Sequence, residues 1–228
     1  FVANVSHELS TPLAAIKAAL ETLDDGAIDD PAVNRNFVEK AVRHGDRLEE
    51  LLSDLLSLSQ IEEQRRKGLT ASEGRCRAQD AWADAEPMLE SALRQSGAQI
   101  QAHWPEGLPE LTIELGSLRQ ILLNYADNAI KHSGERASIR VGARLLGSEV
   151  EIFVQDQGQG IPWVDQGRIF ERFFRVDKAR TRSSGGSGLG LAIAKHLAEN
   201  AGGSVGVESE LDKGSRFWVR VPVAPPLP

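Results

Sequence analysis

Cysteine is nearly absent: the 228-residue sequence holds one, Cys76. A single cysteine forms no intramolecular disulfide and excludes a cysteine-clustered zinc site, so Cys76 reads as an inert thiol in a reducing compartment. No uninterrupted apolar run approaches the ~18–20 residues of a membrane span, and no signal-peptide pattern is present. The expectation is a piece that is soluble, makes no membrane contact of its own and is cytoplasmic. Positive charge is also short: 26 Lys plus Arg face 33 Asp plus Glu, for a net charge of −7. Binding to a phosphate backbone needs concentrated cations, so nucleic acid is not an expected partner. Neither a G-x-G-x-x-G inside a βαβ unit nor a G-x-x-x-x-G-K-[ST] occurs, which leaves Rossmann and P-loop sites unsupported. What remains is a chain long enough for one large or two small domains, with 41% hydrophobic residues to build a core.

The first segment carries a helical rhythm. Val2, Val5, Leu9, Leu13, Ile16, Leu20 and Leu23 recur at spacings of three or four, as do Phe37, Ala41, His44, Leu48, Leu51, Leu55 and Leu58. Leu52, Leu56 and Ile61 widen the second stripe. Between the two lies Asp24 to Pro31, rich in helix breakers and caps. The pattern predicts an antiparallel helical hairpin over residues 1–66. Two helices cannot cover two stripes of this width, so a homodimeric four-helix bundle is expected. The alternative is that the stripes pack onto the rest of the chain. Phe1 and Val2 already belong to the stripe with no N-cap before them, so the expected parent is longer.

His7 points away from that stripe. At about 100° per residue Val5 and Leu9 lie about 40° apart, which puts His7 about 180° from their centre. Glu8 flanks it and Thr11 follows one turn on. Pro12 cannot donate to the Glu8 carbonyl, so a bend is expected there. An imidazole titrating near neutrality beside a carboxylate and a hydroxyl suits phosphoryl acceptance, although a solvated helix face can carry the same residues. The hairpin is also the acidic part of the chain: residues 1–66 hold seven Lys or Arg against thirteen Asp or Glu.

The helical period breaks at Lys67-Gly68-Leu69, the expected boundary and hinge. Beyond it, helices are predicted over Asp80–Gln95, Leu115–His132 and Leu189–Asn200. Strands are predicted over Ala98–His103, Ser138–Leu145, Glu149–Gln155, Ser204–Glu208 and Arg216–Val221. That order suggests an α+β layer rather than a βαβ repeat. Four constellations carry chemistry. Asn124 and Asn128 share one helix face, where carboxamide oxygens suit Mg²⁺, and Lys131 lies within reach of a phosphate. Asp156 sits at a strand end, able to accept from an exocyclic amine, and Gly158 and Gly160 let backbone approach a ligand. Gly185 to Leu191 places glycine-rich N–H groups at the start of a helix, a ready anion site. Between them, residues 163–187 hold six Lys or Arg against three acids. This segment reads as an irregular lid pinned by Phe170, Phe173 and Phe174, or as a disordered loop.

Taken together, Ser6–Leu13 (SHELSTPL), Leu122–His132 (LLNYADNAIKH), Asp156–Pro162 (DQGQGIP), Ile169–Asp177 (IFERFFRVD) and Gly185–Glu199 (GGSGLGLAIAKHLAE) resemble the H, N, G1, F and G2 boxes of sensor histidine kinases, in order and spacing. The resemblance implies a dimerisation and phosphotransfer domain over 1–66. A catalytic ATP-binding α+β sandwich of the Bergerat type, shared with gyrase, would occupy 67–228. It implies that ATP phosphorylates His7, that an aspartate of a response-regulator receiver domain then takes the phosphoryl group, and that the chain also dephosphorylates the regulator. His7 would be the acceptor, Glu8 the base or orienting group, and Thr11 the residue that positions water. Asn124 and Asn128 would hold Mg²⁺ and Lys131 phosphate. Asp156 would take the adenine amine, with Gly158 and Gly160 shaping the pocket. Gly186, Gly188, Leu189 and Gly190 would cradle phosphates, with Arg172 and Arg175 on the γ-phosphate. Ser10 stands where the family commonly has a basic residue, which weakens an expected contact to an acidic regulator. The family also implies a parent that can be membrane-anchored. Two further readings compete: a non-catalytic dimeric scaffold that binds nucleotide only to change shape, and a different ATPase of the same fold.

Overall fold

A computed structural model describes residues 2–66, 74–134, 136–176 and 187–225. The expected hinge at Lys67 and the expected cradle residue Gly186 lie outside the described residues.

The hairpin forms as the periodicity requires. Helix α1 spans Val2–Asp24 and α2 spans Asn34–Arg66, joined through a 3₁₀ turn at Ala27–Asp29. The turn starts at Gly26, whose φ of 113° suits a residue without Cβ. Asn34 closes it by donating from Nδ2 to the Ile28 carbonyl at 3.0 Å. Helix α1 runs through Pro12. The hydroxyls of Ser10 and Thr11 donate back to the carbonyls of Ser6 and His7 at 2.7 and 3.0 Å. The two helices pack on each other, burying Ala19, Leu23 and Leu51. The stripes are only partly covered: Leu13, Leu20, Leu52 and Leu56 stay exposed. Farther along α2, Leu58 and Ile61 pack onto the second half of the chain. The alternative that the stripes cover the rest of the chain therefore holds at this end and not in the middle.

The second half is a layer of helices on a five-stranded sheet. Its strands are β1 (Gln99–His103), β2 (Ser138–Leu146), β3 (Glu149–Gln155), β4 (Ser204–Glu210) and β5 (Gly214–Pro222), in spatial order β1-β2-β3-β5-β4. β1 runs parallel to β2 and the other pairs are antiparallel. Helices α5 (Leu115–His132) and α7 (Gly190–Asn200) pack on the sheet and on each other, and α3 (Ala78–Ala85) packs on α5. Alternation explains the layering. Ile139, Val141, Val150, Ile152, Val154, Phe217, Val219 and Val221 point into the core. Their neighbours Arg140, Arg144, Glu151, Phe153, Arg216, Trp218 and Arg220 form the opposite face. There Glu151 is fully buried, 2.7 Å from guanidinium nitrogens of both Arg144 and Arg216 and 2.9 Å from that of Arg220. Burial pushes its carboxyl up, but the arginine hydrogen bonds and charges outweigh that and hold it below its ordinary value.

Two predicted elements need correction. The helix expected over Asp80–Gln95 is three pieces: α3, a 3₁₀ turn at Glu86–Leu89, and α4 (Glu90–Ser96). Pro87 lacks the N–H that would continue α3, so the turn tightens. The segment read as wholly irregular after residue 162 opens with a short helix, α6 (Trp163–Gln166), fixed by Gln166 donating to the carbonyls of Ile161 and Ser209. Cys76 is buried and burial pushes its thiol up to about 11, in keeping with an inert thiol. Among the described residues no helix is long and apolar enough to cross a membrane.

Candidate functional site

A cavity of about 1290 Å³ opens where the end of α5, the strand end at Asp156, the start of α7 and the acidic flank of α2 meet. Asn124, Asn128, Lys131, Asp156, Gly158, Gly160, Arg175, Gly188 and Gly190 all line it. The structure thus brings together residues separated by more than sixty positions in sequence.

Asp156 follows β3 and is 4% exposed. One oxygen, Oδ1, accepts the N–H groups of Gly158 at 2.8 Å and Ser215 at 3.2 Å. That grip fixes the carboxylate of a residue that lines the cavity. Burial raises its proton affinity, and the backbone donors work against that rise. Beside it, burial holds the His132 imidazole below its ordinary value.

The glycines after Asp156 line the cavity and are also needed for the packing of the loop itself. A Cβ on Gly158 would stand 2.2 Å from the His132 carbonyl oxygen, and one on Gly160 would stand 2.0 Å from that of Glu210. What a side chain on them would strike is the protein's own backbone. They let the loop seat against the end of α5 and the β4–β5 turn, and so shape the pocket indirectly.

On α5 the two asparagines differ. Asn124 donates from Nδ2 to the Gly190 carbonyl at 2.8 Å, and its Oδ1 accepts from Gln120 at 3.1 Å. It ties α5 to the start of α7. Asn128, one turn on, lines the cavity. Lys131 is paired with Asp127 at 2.6 Å, a partner that sequence reasoning did not assign. At the start of α7, Ser187 Oγ accepts the Leu189 N–H at 3.0 Å. Leu189 itself is buried and does not line the cavity.

The lid residues divide. Phe170 and Phe174 pack against the main core and Phe173 against the smaller cluster of Leu58, Ile61, Leu189 and Ile193, as expected of anchors. Arg175 lines the cavity, where burial and the nearby Arg47 lower its proton affinity and Glu8 opposes them. Arg172 does not line it, and its guanidinium lies 3.0 Å from His196 Nε2 on α7.

His7, Glu8 and Thr11 lie outside the cavity lining, on α1. The His7 side chain is 81% exposed, with Nδ1 4.0 Å from Glu8 Oε1. The other Glu8 oxygen is 3.8 Å from Arg47 of α2.

Sequence reasoning missed the wall that α2 supplies. Asp46, Glu50 and Asp54 line the cavity from the hairpin side. A signal was present, since acids at i, i+4 and i+8 share one helix face, but nothing local tied that face to a pocket. Burial raises the proton affinity of Glu50 and Asp54 while Lys131 pulls it down.

Two family models match the chain. The His Kinase A (phospho-acceptor) domain matches residues 1–64, and the histidine kinase-, DNA gyrase B- and HSP90-like ATPase matches residues 114–225. The sensor-like histidine kinase SenX3 of Mycolicibacterium smegmatis is 40% identical over 99% of this chain and 57% of its own length. The chain therefore spans little more than half of that curated relative. The histidine kinase ShkA, solved at full length with AMPPNP, is 30% identical with a TM-score of 0.67, over 97% of this chain and 46% of its own. The histidine kinase AdeS of Acinetobacter baumannii shares the fold, with a TM-score of 0.74 at 20% identity over 96% of this chain and 98% of its own.

Proposed function

The chain belongs to the two-component sensor histidine kinases, and we propose that it moves the γ-phosphoryl group of ATP onto His7 and from there onto an aspartate of a response-regulator receiver domain. Residues 1–66 act as the dimerisation and phosphotransfer domain and residues 67–228 as the catalytic domain. One observation carries the reading: an exposed imidazole beside a carboxylate stands in the same chain as a cleft whose buried carboxylate is held by backbone N–H groups.

Each residue then has a task. Asp156 accepts from the adenine amine, a pairing a carboxylate held at one oxygen makes with the other. The phosphates run toward Gly188 and Gly190, where N–H groups at the start of α7 meet negative charge, and Gly186 and Leu189 keep the cradle role that the family resemblance implies. Lys131 serves phosphate by leaving or sharing Asp127. Arg175 faces the terminal phosphate. Arg172 reaches it only if it leaves His196.

The donor set fits Mg²⁺ brought in with the nucleotide. Asn128 lines the cavity, and the Asn124 oxygen has a second lone pair beyond its Gln120 contact. Among the described residues no group of three His, Cys, Asp or Glu side chains is arranged to hold a metal alone. Bound there, the ion would neutralise charge on the phosphate oxygens. At the acceptor, Glu8 closing on Nδ1 keeps the proton there and leaves the Nε2 lone pair to attack in line. Thr11 positions water when the phosphorylated regulator docks. The exposed leucines of the hairpin pair with those of a second copy.

Incubation of the chain with γ-labelled ATP and Mg²⁺ tests this. The expected product is an acid-labile phosphoprotein, absent in His7→Gln. Label that persists in His7→Gln overturns the assignment of the acceptor.

A further inference from the structure

The hairpin touches the nucleotide cleft, and it does so with negative charge. Asp54 Oδ2 accepts from Ser187 Oγ at 2.6 Å. The same Ser187 oxygen accepts the Leu189 N–H at the start of α7. A carboxylate of α2 therefore sits at the N-terminal end of an eleven-residue helix. The helix dipole and unpaired N–H groups make that the most favourable place nearby for an anion. Glu50, one turn earlier, also lines the cleft and feels the charge of Lys131. The N–H end of α7 thus meets a hairpin carboxylate through Ser187, and Lys131, though paired with Asp127, lies within the field of Glu50.

An apolar contact holds this arrangement. Leu58 and Ile61 of α2 are buried against Leu189 and Ile193, with Phe173 alongside. Leu58 is 1% exposed and Leu189 0%. Leucine and isoleucine on a helix this far from α1's leucines lose that cover as soon as α7 moves away.

We propose that Asp54 and Glu50 set the nucleotide affinity of the cleft: while Leu58 and Ile61 hold α7, the Asp54 and Glu50 carboxylates repel a triphosphate, so nucleotide binding and docking of α2 oppose each other. The inference rests on the reading of this cleft as an ATP site. Like charges in a half-buried cleft are poorly screened. Coupling of this kind is reciprocal, so the nucleotide that suffers from docking must also weaken it. Release of α2 would free the catalytic domain to travel toward His7.

The experiment measures binding of Mg²⁺–AMPPNP to the full chain by titration calorimetry. The variants are Asp54→Asn, which removes charge but keeps an acceptor for Ser187, and Leu58→Ser, which weakens docking and leaves every charge in place. Each is expected to bind about fivefold more tightly than the wild type, and the double variant no more than about twofold tighter than either, because both act through one contact. Hydrogen exchange of the wild type should show residues 54–61 losing protection when the nucleotide is added. Absence of any binding by the wild type overturns the ATP site itself. Equal affinities in all four proteins overturn the inference alone. So does weaker binding by Asp54→Asn, which would make Asp54 part of the nucleotide site, or unchanged protection of 54–61.

Discussion

Leu13, Leu20, Leu52 and Leu56 of the hairpin are 47–64% exposed, whereas Leu118, Ile121 and Leu122 of α5 expose nothing. Both sets recur with helical spacing. The difference lies in what each helix finds to pack against. α5 lies between a sheet, α3 and α7, so every apolar side chain on its inner face meets another. α1 and α2 have only each other along most of their length. The sheet domain is thus self-sufficient, while the hairpin needs a second surface. It finds part of one on α7 and the rest, on the proposed reading, in another copy of itself. On the same reading the chemistry divides too: the proposed acceptor stands on the hairpin, and most of the cleft on the sheet domain with one wall from α2.

The sharpest way to break this comparison is to separate the two chemistries. His7→Gln is expected to abolish phosphorylation and leave AMPPNP affinity and thermal stability unchanged, as read by labelling, calorimetry and melting. A loss of nucleotide affinity would show that the acceptor and the cleft are not independent.

Next in size are the buried contacts of the sheet domain. Glu151→Gln leaves three arginines around a neutral side chain and is expected to cost about 3–5 kcal/mol in chemical denaturation, the range for breaking a buried ion pair. The carboxyl of Glu151 lies below its ordinary value when folded. Its stabilisation is therefore complete above the unfolded carboxylate range and is lost as pH falls through the folded-state value. Acid unfolding of Glu151→Gln should be flatter in that window. Leu122→Ala, a cavity in the same domain, is expected to cost about 2–5 kcal/mol.

The hairpin should respond differently to the same kind of change. Leu56→Ser is expected to alter sheet-domain stability by less than about 0.5 kcal/mol. It should weaken self-association instead, seen in sedimentation equilibrium as a shift toward monomer and in a melting point less dependent on concentration. A large drop in the sheet-domain transition would place Leu56 in a core rather than at an interface.

Much of this was legible beforehand, for local reasons. The spacing of Leu115–His132 and the alternation of Glu149–Gln155 each encode one face, and those elements appear with the expected bounds. The exposure of His7 follows from helix geometry alone. Pro87 shows the limit of periodicity, since apolar spacing continues through a residue that cannot donate. Gly158 and Gly160 show another: a glycine signals close approach, but not of what. The carbonyls of His132 and Glu210 come from distant elements, and only their packing brings them near.

By itself, then, the sequence determined which helix or strand face presents each candidate residue, because that depends on repeats of a few residues. It also determined that the hairpin is acidic. Tertiary structure decided where that acidity acts. Asp54 meets Ser187 across 133 positions only because Leu58 and Ile61 find α7, and side chains so far apart in the chain are neighbours only through packing.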